Sequence, residues 1–309
     1  MQTILGGGGT IGVALAKELT AYTNQIRIAA RNPQKVNIND ELVKANLTIK
    51  EEVYKAVEGS EIAYLTVGLA YNTKVWESQW PVIMQNVVDA CQHHNTKLVF
   101  FDNIYMYDPH FLNGMTEITP INPSSKKGRV RAKIAKMLLD AMADGRVKGL
   151  IARAADFYGP NIKNSIITET IVNNFLKGKK AQWMGDASKL HSFTYTPDAA
   201  KATALLGNTE SAYNQVWHLP THKEKLTGED WIKLIANEMG VVPRFQQVSP
   251  LMLKIAGIIV PILKEFADIA DQYTNSYYFD SSKFSNQFHT YATEPKIAVK
   301  EIVSALSSR

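Results

Sequence analysis

The 309-residue sequence is 45% hydrophobic and 20% charged, the composition of a globular chain able to bury one large or two modest domains. A formal charge of +5 is too small and too dispersed to indicate a nucleic-acid partner, though it suits a phosphorylated small molecule. Cys91 is the only cysteine, which excludes an internal disulfide and a cysteine zinc cluster and fits a reducing, cytoplasmic setting.

Short β-rich runs alternate with helical patterns through the first half. Residues 2–5 read as a strand, and Ile11, Ala14, Leu15 and Leu19 then recur at helical spacing. Strands follow at 26–30 and, more weakly, 43–47, then a helix at 51–58 and an apolar strand at 62–67 that ends at Gly68. A helix is expected over 79–93 with Pro81 in its first turn, then a strand at 97–101. A helix over 127–142 directs Val130, Ile134, Met137, Leu138 and Ala141 inward, and a strand covers 147–155. Apolar strands separated by helices predict an α/β fold with a doubly wound parallel sheet of the Rossmann type.

After Pro160 helices dominate, at 162–176, 197–206, 227–239, 250–270 and 295–306, with short strands at 192–195 and 216–219. Thr196-Pro197 reads as a cap followed by a first-turn proline, and Thr227 with Asp230 is close to a capping box. The organisation read from this pattern is a dinucleotide-binding domain over 1–160, to which 192–220 returns, and a smaller, mainly helical substrate-binding region over 161–309. No basic or apolar leader of signal-peptide length opens the sequence. The longest apolar run, residues 255–263, lies between Lys254 and Lys264 and contains Pro261. It is far shorter than the roughly 20 residues that span a bilayer; it is expected to be a buried helix, with no membrane partner.

The strongest motif is Gly6-Gly7-Gly8-Gly9-Thr10-Ile11-Gly12. It satisfies G-x-x-G-x-x-G through Gly6, Gly9 and Gly12, and it joins a strand to an amphipathic helix, the context that gives such glycines meaning. Early glycines reach backbone angles closed to other residues. Gly9 lets the backbone approach a pyrophosphate, and Gly12 lets the helix pack on the strand. The helix start, at Thr10 and Ile11, offers free N–H groups and partial positive charge to phosphates. NAD sites place an acid about 20 residues after the glycines, on the ribose 2′-OH. Here Ala30 stands in that place and Arg31 follows. An arginine pairs with a 2′-phosphate that an acid would repel, so NADP(H) is expected over NAD.

These residues resemble the extended short-chain dehydrogenase/reductase family, which includes the NAD-dependent epimerase/dehydratases. The likeness includes Gly6 to Gly12, Asn46-Leu47, Leu65 to Gly68, Asn86 and Val99 to Asp108. It continues through Arg153-Ala-Ala-Asp-Phe-Tyr-Gly-Pro160, where Asp156 replaces the family's Asn, and His191-Ser-Phe-Thr-Tyr-Thr-Pro-Asp198, where His191 replaces Arg. Phe279 to Lys283 also fits. The resemblance implies cofactor contacts from Gly6, Gly9, Thr10, Ile11, Gly12, Arg31, Asn46, Val67, Gly68 and Arg131, a small-molecule substrate, and a homodimer formed through the helices at 79–93 and 127–142.

The family's catalytic set is a Ser or Thr after the fifth strand and Tyr-x-x-x-Lys on the next helix. None of the 13 tyrosines here has a lysine four positions later. Alignment puts Asn103 at the Ser/Thr, Lys127 at the tyrosine and Arg131 at the lysine. Lys127 and Arg131 share one helix face. A neighbouring cation would favour a neutral amine at Lys127 and make it an acid/base, with Asn103 donating to a substrate carbonyl. Tyr105 is a competing acid. The same residues also belong to a basic run, Lys126 to Lys136, of the kind that usually forms a solvated face. Asp156, His191 and Asp198 read as structural or as interface residues, and His93-His94 is assigned no metal. The function expected is an NADP(H)-binding oxidoreductase or epimerase acting on a small carbonyl, alcohol or sugar-derived compound. The alternative is a non-catalytic NADP(H)-binding redox sensor or regulatory protein.

Overall fold

The structure, a computed structural model, describes residues 1–162 and 165–307. In chain order the first half runs β1 (Gln2–Leu5), α1 (Thr10–Leu19), β2 (Ile26–Ala30), β3 (Glu41–Lys44), α2 (Lys50–Val57), β4 (Ile62–Leu65), α3 (Thr73–His94), β5 (Lys97–Asp102), β6 (Asn113–Met115), α4 (Lys126–Ala143), β7 (Gly149–Arg153) and β8 (Asp156–Tyr158). The remainder runs α5 (Asn173–Leu176), β9 (Ala181–Met184), β10 (Phe193–Tyr195), α6 (Thr196–Gly207), β11 (Val216–His218), α7 (Gly228–Glu238), β12 (Phe245–Val248), α8 (Pro250–Ala256), α9 (Pro261–Ala267), α10 (Asp271–Thr274), β13 (Tyr278–Phe279), α11 (Ser282–Phe288) and α12 (Pro295–Ser307).

Seven strands form one parallel sheet in the order β11-β7-β5-β4-β1-β2-β3. Successive strand residues alternate between two apolar layers, as the pleat requires. Leu5, Ala63, Leu65, Leu98, Phe100 and Ile151 pack under α2, α3 and α4. Their neighbours Ile4, Ile62, Tyr64, Val99, Phe101 and Leu150 pack under α1, α6 and α11. Each buried large aliphatic side chain contributes about 1.5–3 kcal/mol. The chain leaves β1 toward β2 and β3, then returns to β4 on the other side. This reversal opens a crevice at the carboxyl ends of β1 and β4, the place where open α/β sheets bind ligands.

Helix α3 begins at Thr73 rather than beside Pro81, which lies inside it. The Asn72 side chain accepts the N–H of Val75 and caps the start, overriding proline as a start signal. Pro81 costs the helix its bond to the carbonyl of Glu77, a solvent-exposed residue. The Thr227/Asp230 capping box forms on α7. Tyr195 rather than Thr196 occupies the cap position of α6. Of the helix expected over 162–176, Lys163 and Asn164 lie outside the described residues; a wide turn over Thr168–Val172 leads into α5.

The single buried helix expected over 250–270 is replaced by α8, α9 and α10. Gly257 makes the break: a Cβ there would lie 2.7 Å from the backbone nitrogen of Lys264, so α8 and α9 fold onto each other. The turn between them stays uncovered; Ile258 and Ile259 are 82% and 86% exposed. Among the described residues no helix is long and apolar enough to cross a membrane.

Candidate active site

The glycine turn leaves β1 at the crevice. Gly6 adopts φ +92°, and a Cβ on it would stand 2.4 Å from the Val67 Cα, so the turn is pressed onto the segment after β4. Gly12 touches the turn itself: a Cβ there would lie 2.6 Å from the Gly7 Cα. Gly9 differs from both. Its backbone is ordinary, φ −83° and ψ 167°, and a Cβ would meet nothing closer than the Gly6 carbonyl at 3.6 Å. A Cβ on Gly8 would meet nothing within 4 Å among the described residues. Among the described residues no side chain caps α1, so its first turn, beginning at Thr10 and Ile11, offers backbone N–H groups above an open cradle. That arrangement fits the pyrophosphate of a dinucleotide.

Arg31 is exposed past the end of β2 and makes no ion pair among the described residues, while Ala30 before it is half-buried. Val67 and the exposed Gly68 form the opposite lip. Asn46 is occupied locally: its Oδ1 accepts from the Thr48 N–H at 3.2 Å and from the Thr48 hydroxyl at 2.9 Å. Asn86, buried on α3, donates to the Leu47 carbonyl at 3.0 Å and fixes that loop.

Lys127 and Arg131 both leave solvent. Lys127 is 0% exposed and Arg131 4%, so neither belongs to a solvated basic face. The Lys127 ammonium donates to the Glu265 carboxylate, to the Glu265 carbonyl at 3.1 Å and to the Thr73 hydroxyl at 3.2 Å. It lies 4.6 Å from the centre of the Tyr71 ring. Burial pushes the Glu265 pKa up, but hydrogen bonds from Lys127 and Thr73 outweigh it and hold the carboxyl below its ordinary range. The charge facing Lys127 is therefore a carboxylate, not the second cation expected from the sequence. Asp268 accepts from the N–H groups of Lys126 and Lys127 at 3.3 Å each and complements the N-terminus of α4.

Asn103 and Tyr105 lie in the loop after β5. The Asn103 Oδ1 accepts from the Tyr105 N–H at 3.2 Å, which leaves Nδ2 as its outward donor. A Cβ on Gly128 would stand 2.3 Å from the Tyr105 carbonyl, so the first turn of α4 is clamped against this loop. The Tyr105 and Tyr71 hydroxyls are 3.5 Å apart. Burial pushes both phenols above their usual range, and the Asp156 carboxylate adds to this at each. At neutral pH both are hydrogen-bond donors.

Arg131 turns away from this group. Its guanidinium pairs with Asp102, with Nε to Oδ1 at 2.8 Å, and stacks 4.6 Å from the Trp80 ring. Asp102 is buried and also accepts from Arg153 at 3.3 Å. Arg153 continues the chain to the Tyr107 hydroxyl at 3.0 Å, which lies 2.7 Å from His218 Nε2. His218 Nδ1 donates to the Asp280 carbonyl at 2.7 Å, so Nε2 accepts from Tyr107. Burial, opposed by that carbonyl and reinforced by Arg153 and Lys283, pushes His218 down to about 3. The ring is neutral. Among the described residues no group of His, Cys, Asp and Glu is gathered to hold a metal.

The sequence profile of the NAD dependent epimerase/dehydratase family matches residues 3–217. The chain belongs to this family. The whole fold agrees. UDP-glucose 4-epimerase of Thermus thermophilus, solved with NAD, superposes with a TM-score of 0.80 at 16% identity, covering 99% of each chain. UDP-glucuronic acid 4-epimerase of Bacillus cereus, solved with UDP-glucuronic acid and NAD, gives 0.82 at 14%, covering 100% of this chain and 99% of that one. A dTDP-glucose 4,6-dehydratase of Streptomyces venezuelae, solved with NAD, gives 0.79 at 12%, covering 100% and 98%. No curated protein matches the chain by sequence.

This epimerase/dehydratase family member departs from the family's motifs in a concerted way. Asp156 faces His191 Nε2 at 3.0 Å and accepts from the Tyr273 hydroxyl. The His191 ring is sandwiched between Tyr273 and Tyr277, with centroids 4.5 and 4.4 Å away. The two replacements thus complete each other. The sequence reading missed Glu265, Thr73 and Tyr71. None carries a local signal, since Glu265 reaches Lys127 across 138 residues of chain.

Proposed function

We propose that this family member prefers NADP(H) and acts as an oxidoreductase or epimerase on a small carbonyl, alcohol or sugar-derived substrate, with Lys127 in the place of the usual tyrosine. One observation carries the reading. Lys127 is wholly buried, yet it is bonded to Glu265, whose side chain keeps 18% exposure. A proton can therefore pass between solvent and a lysine that solvent does not touch.

When bound, the nicotinamide supplies or removes the hydride at the substrate carbon. In the reducing direction Asn103 Nδ2 donates to the substrate oxygen and orients it. Lys127 Nζ gives up its hydrogen bond to Thr73 and delivers that proton to the substrate oxygen, and the resulting amine regains one through Glu265. Oxidation reverses each transfer. Tyr105 and Tyr71 hold substrate hydroxyls as donors. Residues 161–309 supply the substrate-facing surface. Sugar-derived alcohols are the first compounds to test, because UDP-glucuronic acid is bound in one structural neighbour. The non-catalytic sensor reading gains no support from membership of this enzyme family.

The cofactor preference rests on Arg31, exposed beside the crevice and without an ion pair among the described residues. A charge-assisted pair with a 2′-phosphate contributes about 1.5–3 kcal/mol. Fluorescence titration should therefore show NADPH binding tighter than NADH. Arg31→Ala should weaken NADPH by about tenfold or more and leave NADH unchanged. Equal or tighter NADH binding, indifferent to Arg31→Ala, contradicts the assignment.

A further inference from the structure

The α8–α9 hairpin presents an apolar outer surface at Leu251, Met252, Ile255, Ile258 and Ile259, each 55–86% exposed. Monomeric soluble proteins rarely leave such side chains clustered in water. The inner side is already committed. Leu253 is buried, Phe266 stacks 5.3 Å from Tyr71, and Glu265 and Asp268 turn onto Lys127 and the start of α4. They are the only acids between residues 249 and 270. The charges left to the outer side are Lys254 and Lys264, both exposed and without an ion pair among the described residues.

We propose that this hairpin docks on an anionic phospholipid surface, with Ile258 and Ile259 entering the boundary between headgroups and acyl chains. An apolar tip flanked by lysines and free of carboxylates is complementary to such a surface. A second copy of the chain is less suited. A two-fold contact through this face would set its lysines against one another with no acid to answer them. The hairpin is too short to span and so lies in one leaflet. Docking would bring the bilayer to the reverse side of α9, the helix whose Glu265 bonds Lys127 of α4.

The test is co-sedimentation of the full chain with vesicles of equal parts phosphatidylcholine and phosphatidylglycerol, and with phosphatidylcholine alone. Binding should occur to the mixed vesicles and weaken in high salt. Ile258→Ser with Ile259→Ser, both exposed and therefore harmless to the fold by circular dichroism, should raise the lipid needed for half-binding by about tenfold or more. Lys254→Glu with Lys264→Glu should remove the preference for anionic lipid. As a positive signal, Ile259→Trp should add blue-shifted emission on the mixed vesicles. No sedimentation with either lipid overturns the proposal, as does unchanged binding by the serine variant. So does a wild-type dimer that this variant converts to monomer, since a second copy would then cover the face.

Discussion

Replacing Asp102 by alanine should destabilise the fold by about 3–5 kcal/mol, because it strands two buried arginines at once. Asp102 is 1% exposed and answers both Arg131 and Arg153. Arg153 has no slack, since its Nη2 is buried without a hydrogen-bond partner among the described residues. Neither guanidinium can lose its charge, so neither can adapt by giving up a proton. Asp102→Asn keeps the shape and removes the charge, and it should cost nearly as much if charge rather than packing is the cause. Urea denaturation followed by far-UV circular dichroism reads both variants. A loss below about 1 kcal/mol would place the pair in the range of exposed ion pairs and refute the role given to Asp102.

Lys127→Met should lower turnover by about 10²–10⁴-fold, the usual contribution of a positioned acid/base. NADPH affinity should not change, because the cradle at Gly8 and Gly9 is built from backbone and makes no use of this side chain. Methionine fills much of the lysine's volume, which limits the packing loss at a site that is 0% exposed. The Glu265 carboxylate left behind keeps contact with water and with Thr73. Single-turnover oxidation of NADPH with a responsive carbonyl substrate separates the chemical step from binding. Retained turnover would move the acid role to Tyr105, and Tyr105→Phe would then show the loss.

The central sheet was legible because each strand is a short, continuously apolar run and each crossover is a helix with its own period. Ile4 and Leu5 fall into opposite layers, as period two demands. The glycine turn was legible for a similar reason: strand, turn and helix start are contiguous, so the steric demands at Gly6 and Gly12 are written within one short segment. Chain contacts across long separations were not legible. In the basic run at Lys126 to Lys136, Lys126, Arg129, Lys133 and Lys136 do form a solvated face, but Lys127 and Arg131 are drawn inward by Glu265 and Asp102, which arrive from other segments. The apolar run at 255–263 shows the reverse failure. Hydrophobicity says that a segment gains by burial, but Gly257 and Pro261 decided that it forms two short helices packed on each other, with one side facing out. Pro81 misplaced the start of α3 because a cap at Asn72 can carry a helix through a later proline.

The account rests on a dinucleotide pyrophosphate lying over Gly9, and Gly9→Val tests this most directly. The backbone angles of Gly9 suit any residue, and the space above it is open, so the fold should tolerate the side chain while the ligand should not. NADPH titration by fluorescence, beside a thermal melt of the same sample, should show an unchanged melt and an affinity reduced by about a hundredfold, ~2.7 kcal/mol. Gly9→Val that binds NADPH as tightly as the natural sequence would contradict the account.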